Sequence, residues 1–261
     1  MIDKILALGL TALGATMITK KGGLFIESST YSDFEANDNV ITAVKVAEGL
    51  VEKAYKLPNE TQYTIGFGTS YLFDKDGKPY SNAGTNAVKA GDTLTLLKSK
   101  MSYSSLSNSD FAEELIKNHL KASRYSKVAK DLDSFGVPFR QSFAEALMEV
   151  SYGSGSIFGY LRSDIYYIDF LNNARNAKTD KDFATAYIRY RYNYYKNCTM
   201  RGQWSTYKYG WMRRVVRLTF LILGRKLSEN ELSNYVGYTE SLHKKKLADF
   251  VLANFNVNII W

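Results

Sequence analysis

The sequence predicts an α+β fold, with a small β-hairpin lobe beside a larger, mainly α-helical lobe. Three observations predict it. Val40 to Tyr55 is amphipathic, with Val44, Ala47, Leu50, Val51 and Ala54 recurring at helical spacing. Gln62 to Tyr71 changes period and becomes rich in β-branched, aromatic and glycine residues, and the turn cluster Asp74-Lys75-Asp76-Gly77-Lys78 follows it. After Leu106 the pattern is helical almost throughout.

Taken in order, Ile5 to Ile18 is an apolar run followed by Lys20 and Lys21. It is too short for a transmembrane helix and fits a signal-peptide core, or a helix docked on the domain or on a partner. Ser28 to Asn39 is polar and reads as a linker or a cap. Ser107-Asn108-Ser109-Asp110 supplies N-cap chemistry for a helix through Phe111, Leu115, Ile116 and Leu120. Further helices are predicted at Pro138 to Tyr152, Asp164 to Ala177, Lys181 to Arg191 and Tyr207 to Leu223, the first two separated by the break Gly153-Ser154-Gly155-Ser156. Leu227 to Trp261 reads as an extension with one more helix and an apolar end. The division is therefore an N-terminal segment and linker (1–39), a central domain (40–225) and a C-terminal helical extension (226–261).

Composition narrows the chemistry. The chain has 261 residues, 45% of them hydrophobic and 23% charged, which describes an ordinary globular protein. Its net charge of +8 favours polyanionic partners: nucleic acid, anionic membrane, or a wall carrying carboxylates and phosphates. No dense basic run with interleaved aromatics precedes the C-terminal half, so no nucleic-acid motif is evident. A single cysteine, Cys198, excludes an internal disulfide framework, and His119 and His243 stand apart, so no metal site is legible.

The stretch that carries chemistry is Glu48-Gly49-Leu50, Tyr55, then Thr64-Ile65-Gly66-Phe67-Gly68. A carboxyl at the edge of an apolar helix face loses hydration, which suits it to protonating a glycosidic oxygen. Glycines after Thr64 let the backbone turn closely beside that helix. Read without context, a lone helical Glu is a solvated surface residue and a TIGFG segment is a strand with a bulge.

The stretch resembles the active-site signature of phage-type lysozymes, glycoside hydrolase family 24. Three further segments resemble that family in the same order: Leu106 to Leu120, Phe143 to Phe158, and Gly210-Trp211-Met212-Arg213-Arg214 with Leu218. The resemblance spans roughly 40–224 and implies a lysozyme-like fold with the substrate cleft between the two lobes. It implies that Glu48 is the catalytic acid and that Thr64 orients water, with Tyr55, Gly66, Gly68, Ser154 and Arg213 on the substrate side. No metal or organic cofactor is implied.

The match has departures. The family's second carboxylate, nine residues after the Glu, would fall at Leu57, and Thr64 comes one residue late. Glu60 is the acidic candidate within the altered loop and is expected to act as base. Thr69 replaces the histidine often found after Gly-aromatic-Gly, and Ser151 replaces an Asn or Asp.

The resemblance implies a muramidase that cleaves the glycan strands of bacterial peptidoglycan, as a phage endolysin or a virion-associated lysozyme. It would act at the host wall, in the periplasm or outside the cell. Phage tail or baseplate proteins are candidate partners for the terminal segments, and the N-terminal segment a candidate for membrane contact; no nucleic-acid partner is expected. The alternatives are a weakened structural virion or wall-binding protein with a lysozyme fold, or a lytic transglycosylase, which needs an acid but no second carboxylate. The Tyr-Arg stripe Tyr187 to Tyr195 fits either core packing or a glycan-lining face, and Arg213, Arg214 and Arg217 fit either wall contacts or structural salt bridges.

Overall fold

A computed structural model describes residues 17–20, 23–26, 30–56, 60–123, 125–153, 165–197, 214–224 and 240–258. Leu57, Ser154, Ser156, Cys198, Arg213, most of the N-terminal apolar run and the segment 259–261 lie outside the described residues. Two short antiparallel strands come first, β1 (Met17–Lys20) and β2 (Gly23–Ile26), with Met17 opposite Ile26. Met17 and Ile18, which end the apolar run, therefore lie in a strand and not a helix, in keeping with the β-branched and aromatic residues of the two strands, Ile18, Thr19, Phe25 and Ile26.

Helix α1 (Asp38–Glu48) is capped by Asn37, whose side chain accepts from the Asn39 and Val40 amides. The single helix expected over Val40 to Tyr55 stops at Glu48. Gly49 adopts φ +67°, and strand β3 (Val51–Tyr55) pairs antiparallel with β4 (Thr64–Gly66). Leu50, Val51 and Ala54 keep a helical spacing, and the Gly49 conformation ends the helix in spite of it. The expected turn forms at 74–78, where the Asp74 carboxylate accepts from the Asp76 and Lys78 amides and Phe73 bridges to Pro79. A short helix, α2 (Leu94–Lys100), closes this lobe and packs on β3; it was not legible in the sequence.

The helical lobe contains α3 (Asn108–Ala122, capped by Ser107 as expected), α4 (Tyr125–Ser134), α5 (Gln141–Gly153), α6 (Ile165–Arg175) and α7 (Asp180–Asn197). It also contains α8 (214–222) and α9 (Glu240–Phe255). Helix α5 is central, packing against α1, α3, α4 and α7, and every residue from Phe143 to Tyr152 is buried. The fold is α+β, as the sequence predicts.

The polar segment before α1 acts as a cap. Tyr31 is fully buried, its hydroxyl donates to the Pro138 carbonyl at 2.8 Å, and its amide donates to Asp133. The Tyr187–Tyr195 stripe is core as far as its side chains are described: Tyr187, Ile188, Tyr190 and Tyr192 are buried, and Arg191 with them. Helix α9 packs on α7, and Phe250 stacks on Phe220 of α8 at 5.2 Å. Among the described residues no helix is long and apolar enough to cross a membrane.

Candidate active site

A cleft of about 600 Å³ lies between the β lobe and the helical lobe. Glu48, Tyr55, Glu60, Thr64 and Gly68 all line it, so five of the residues singled out from sequence meet on one surface. Ser154 and Arg213 lie outside the described residues. Gly66 is placed elsewhere: it is buried against α3, where a Cβ would stand 3.3 Å from the Ala112 Cβ. Its role is to let β4 approach that helix.

Glu48 ends α1, and its side chain is 29% exposed. The turn after β4 presses on it, because a Cβ at Gly68 would come within 3.1 Å of its Cγ, Cδ and Oε2. Gly68 sits at φ +82°, so both space and backbone require glycine there.

The environment of Glu48 is not the purely apolar one expected. Arg214, at the start of α8, places Nη1 3.3 Å from Glu48 Oε1. The same guanidinium binds the fully buried Glu149 more closely, with Nη2 2.9 Å from Oε1 and Nε bonding both carboxylate oxygens. Arg217 donates to Glu149 Oε1 at 2.9 Å. Among the described residues two acidic side chains and two guanidiniums thus meet, joining α1, α5 and α8 behind the cleft. Of the two roles open to Arg214 and Arg217, both make structural ion pairs.

Tyr55 registers both cleft carboxylates. Its hydroxyl is held above the usual tyrosine range, first by burial and then by the negative charges of Glu48 and Glu60. Thr64 Oγ1 lies 3.0 Å from Ser70 Oγ, and Ser70 also lines the cleft. Behind this pair Thr69 is buried. The Tyr152 hydroxyl donates to the Phe67 carbonyl at 2.6 Å, so at the 3.0 Å contact between Thr69 and Tyr152 the threonine donates. That chain ties the turn to α5.

The far end of the cleft was not legible in the sequence. Tyr71, Phe73, His119, Ser123, Ser151 and Tyr152 line it. His119 sits between the Phe73 and Tyr152 rings at 5.4 and 4.9 Å, and its Nδ1 has no hydrogen-bond partner among the described residues. Burial lowers its pKa to about 4, against a smaller opposing effect of a hydrogen bond with the Tyr71 backbone. The unfolded imidazole titrates near 6.5, so between those values the unfolded chain holds more protons and stability rises with pH. Acidification through that window should remove roughly 3 kcal/mol. Urea unfolding at pH 7 and pH 4.5 should show a steeper acid loss for the wild type than for His119→Phe; equal slopes would remove His119 as the source.

No protein-family model matches the chain, and no curated protein matches it. Among solved structures, a mutant of P22 lysozyme resembles it with a TM-score of 0.42 and 18% identity, over 73% of this chain and 99% of that one.

Proposed function

We propose that this protein is a muramidase-type glycoside hydrolase acting on the glycan strands of bacterial peptidoglycan. The observation that carries the reading is the meeting of Glu48, Glu60 and Thr64 on one interlobe cleft, with the Gly68 turn packed on Glu48. Two carboxyl groups are what glycoside hydrolysis with inversion requires, at a separation of about 6.5–9.5 Å that leaves room for a water, and a neighbouring hydroxyl can hold that water. Glu48 gives its proton to the glycosidic oxygen as the bond from the anomeric carbon to that oxygen breaks. Thr64 holds a water on the opposite face, its oxygen bonds to the anomeric carbon, and Glu60 takes the released proton. The +8 net charge suits a wall rich in carboxylates and phosphates. A phage-encoded enzyme working at the host wall, free or carried in the virion, fits this chemistry.

The test is product analysis on purified peptidoglycan. The wild type should release reducing ends of inverted configuration, and Glu60→Gln should slow that release roughly 100-fold. Anhydro-muramyl products would instead make the protein a lytic transglycosylase with no hydrolytic water. A Glu60→Gln rate equal to wild type would remove Glu60 from the mechanism, and glycan binding without cleavage would make the protein a wall-binding module.

A further inference from the structure

We propose that Ser70 is a positioning residue for the attacking water, acting through Thr64, an assignment that rests on the hydrolase reading above. The argument begins with strand register. Ile65 and Thr69 exchange both backbone hydrogen bonds, each 2.9 Å, across the turn that contains Gly66 and Gly68. Residues 64 and 70 are therefore the next opposing pair. A pair that flanks a doubly hydrogen-bonded one brings its side chains closest together. Ile65 and Thr69 are buried, at 0% and 1% exposure, so alternation turns Thr64 and Ser70 to the opposite face, which is the cleft. Their hydroxyl oxygens meet at 3.0 Å.

Proton accounting gives the pair its use. Each hydroxyl has one proton and two lone pairs. The contact admits either hydroxyl as donor; in the assigned arrangement Thr64 donates to Ser70, and the Thr64 lone pairs are left to accept one hydrogen of the water. The other water hydrogen is left for Glu60. The water oxygen then bonds to the anomeric carbon, the glycosidic bond breaks, Glu48 protonates the departing oxygen and Glu60 receives the water proton. Without Ser70 the Thr64 hydroxyl rotates freely and spends part of its time donating to the water, which turns the water's lone pair away from the carbon. The Thr69–Tyr152–Phe67 chain fixes the turn on α5, so the pair stands on a rigid support.

The experiment uses the full chain and soluble, uncross-linked peptidoglycan strands, with reducing ends counted. Ser70→Ala should lower kcat about tenfold, the worth of one oriented hydrogen bond, with KM unchanged. Ser70→Thr, which keeps the hydroxyl, should restore most of the rate. In a Thr64→Val background the Ser70→Ala change should cost little more, because the two residues act as one unit. An unchanged kcat in Ser70→Ala overturns the proposal. So does a loss that appears in KM or in Tm instead, since that would mark Ser70 as structural. If the wild type and Glu48→Gln are equally inactive, the hydrolase reading falls and this inference with it. An active wild type with an indifferent Ser70 sinks the inference alone.

Discussion

Glu48→Gln should abolish release of reducing ends from peptidoglycan, by about 10²- to 10⁴-fold, while leaving the fold intact. The loss is expected because glutamine has the shape of the acid but no proton to give a leaving oxygen. The fold should survive for three reasons. The side chain is 29% exposed, and its partner Arg214 keeps the closer contact to Glu149, at 2.9 Å against 3.3 Å. The amide also fills the same space against Gly68, where no side-chain atom could follow a displaced Glu48. Partly exposed ion pairs contribute on the order of 1 kcal/mol or less, so Tm should fall by only a few degrees. Glu48→Asp separates proton supply from geometry. It keeps the acid but withdraws it by one methylene, and a misplacement of about 1 Å should still cost roughly 100-fold. Full lysis by Glu48→Gln would remove the residue from its assigned role.

What could be seen in the sequence divides along physical lines. Glu48, Tyr55, Glu60, Thr64 and Gly68 fall within twenty-one consecutive residues, and a local motif carries them to one cleft. Ser70 stands just beyond that motif. Only the register across the Ile65–Thr69 pair reveals that it faces Thr64, and period alone does not give register. His119, Glu149, Tyr152 and Arg214 come from three different helices, and their meeting depends on how those helices pack. The helix end at Glu48 is hidden in the sequence because the apolar residues after it keep helical spacing, while the deciding Gly49 conformation is a backbone property. Helix α2 has seven residues, too few to show a period. Tyr31 is one of two aromatics in a polar stretch, and its burial depends on Asp133 and Pro138, about a hundred residues away in the chain.

Glu149→Leu should be the most destabilising single substitution at the site, at about 3–5 kcal/mol, or a fall in Tm of roughly 10 °C. Glu149 has no exposed surface and accepts from both Arg214 and Arg217. Removing it leaves two partly buried guanidiniums with Glu48 as the one carboxylate paired with them among the described residues. The cost is then that of an uncompensated charge, which exceeds the net worth of the original pairs. Arg217→Met should be milder, because Glu149 keeps Arg214 and Arg214 still reaches Glu48. The double variant Glu149→Leu/Arg217→Met is the decisive one. It removes one charge of each sign and keeps the Arg214–Glu48 pair, so it should recover much of the stability lost in Glu149→Leu. Thermal melts of the three variants give the answer. If Glu149→Leu melts within a degree or two of wild type, or the double variant melts no higher than Glu149→Leu, charge balance is not what holds α1, α5 and α8 together behind the cleft.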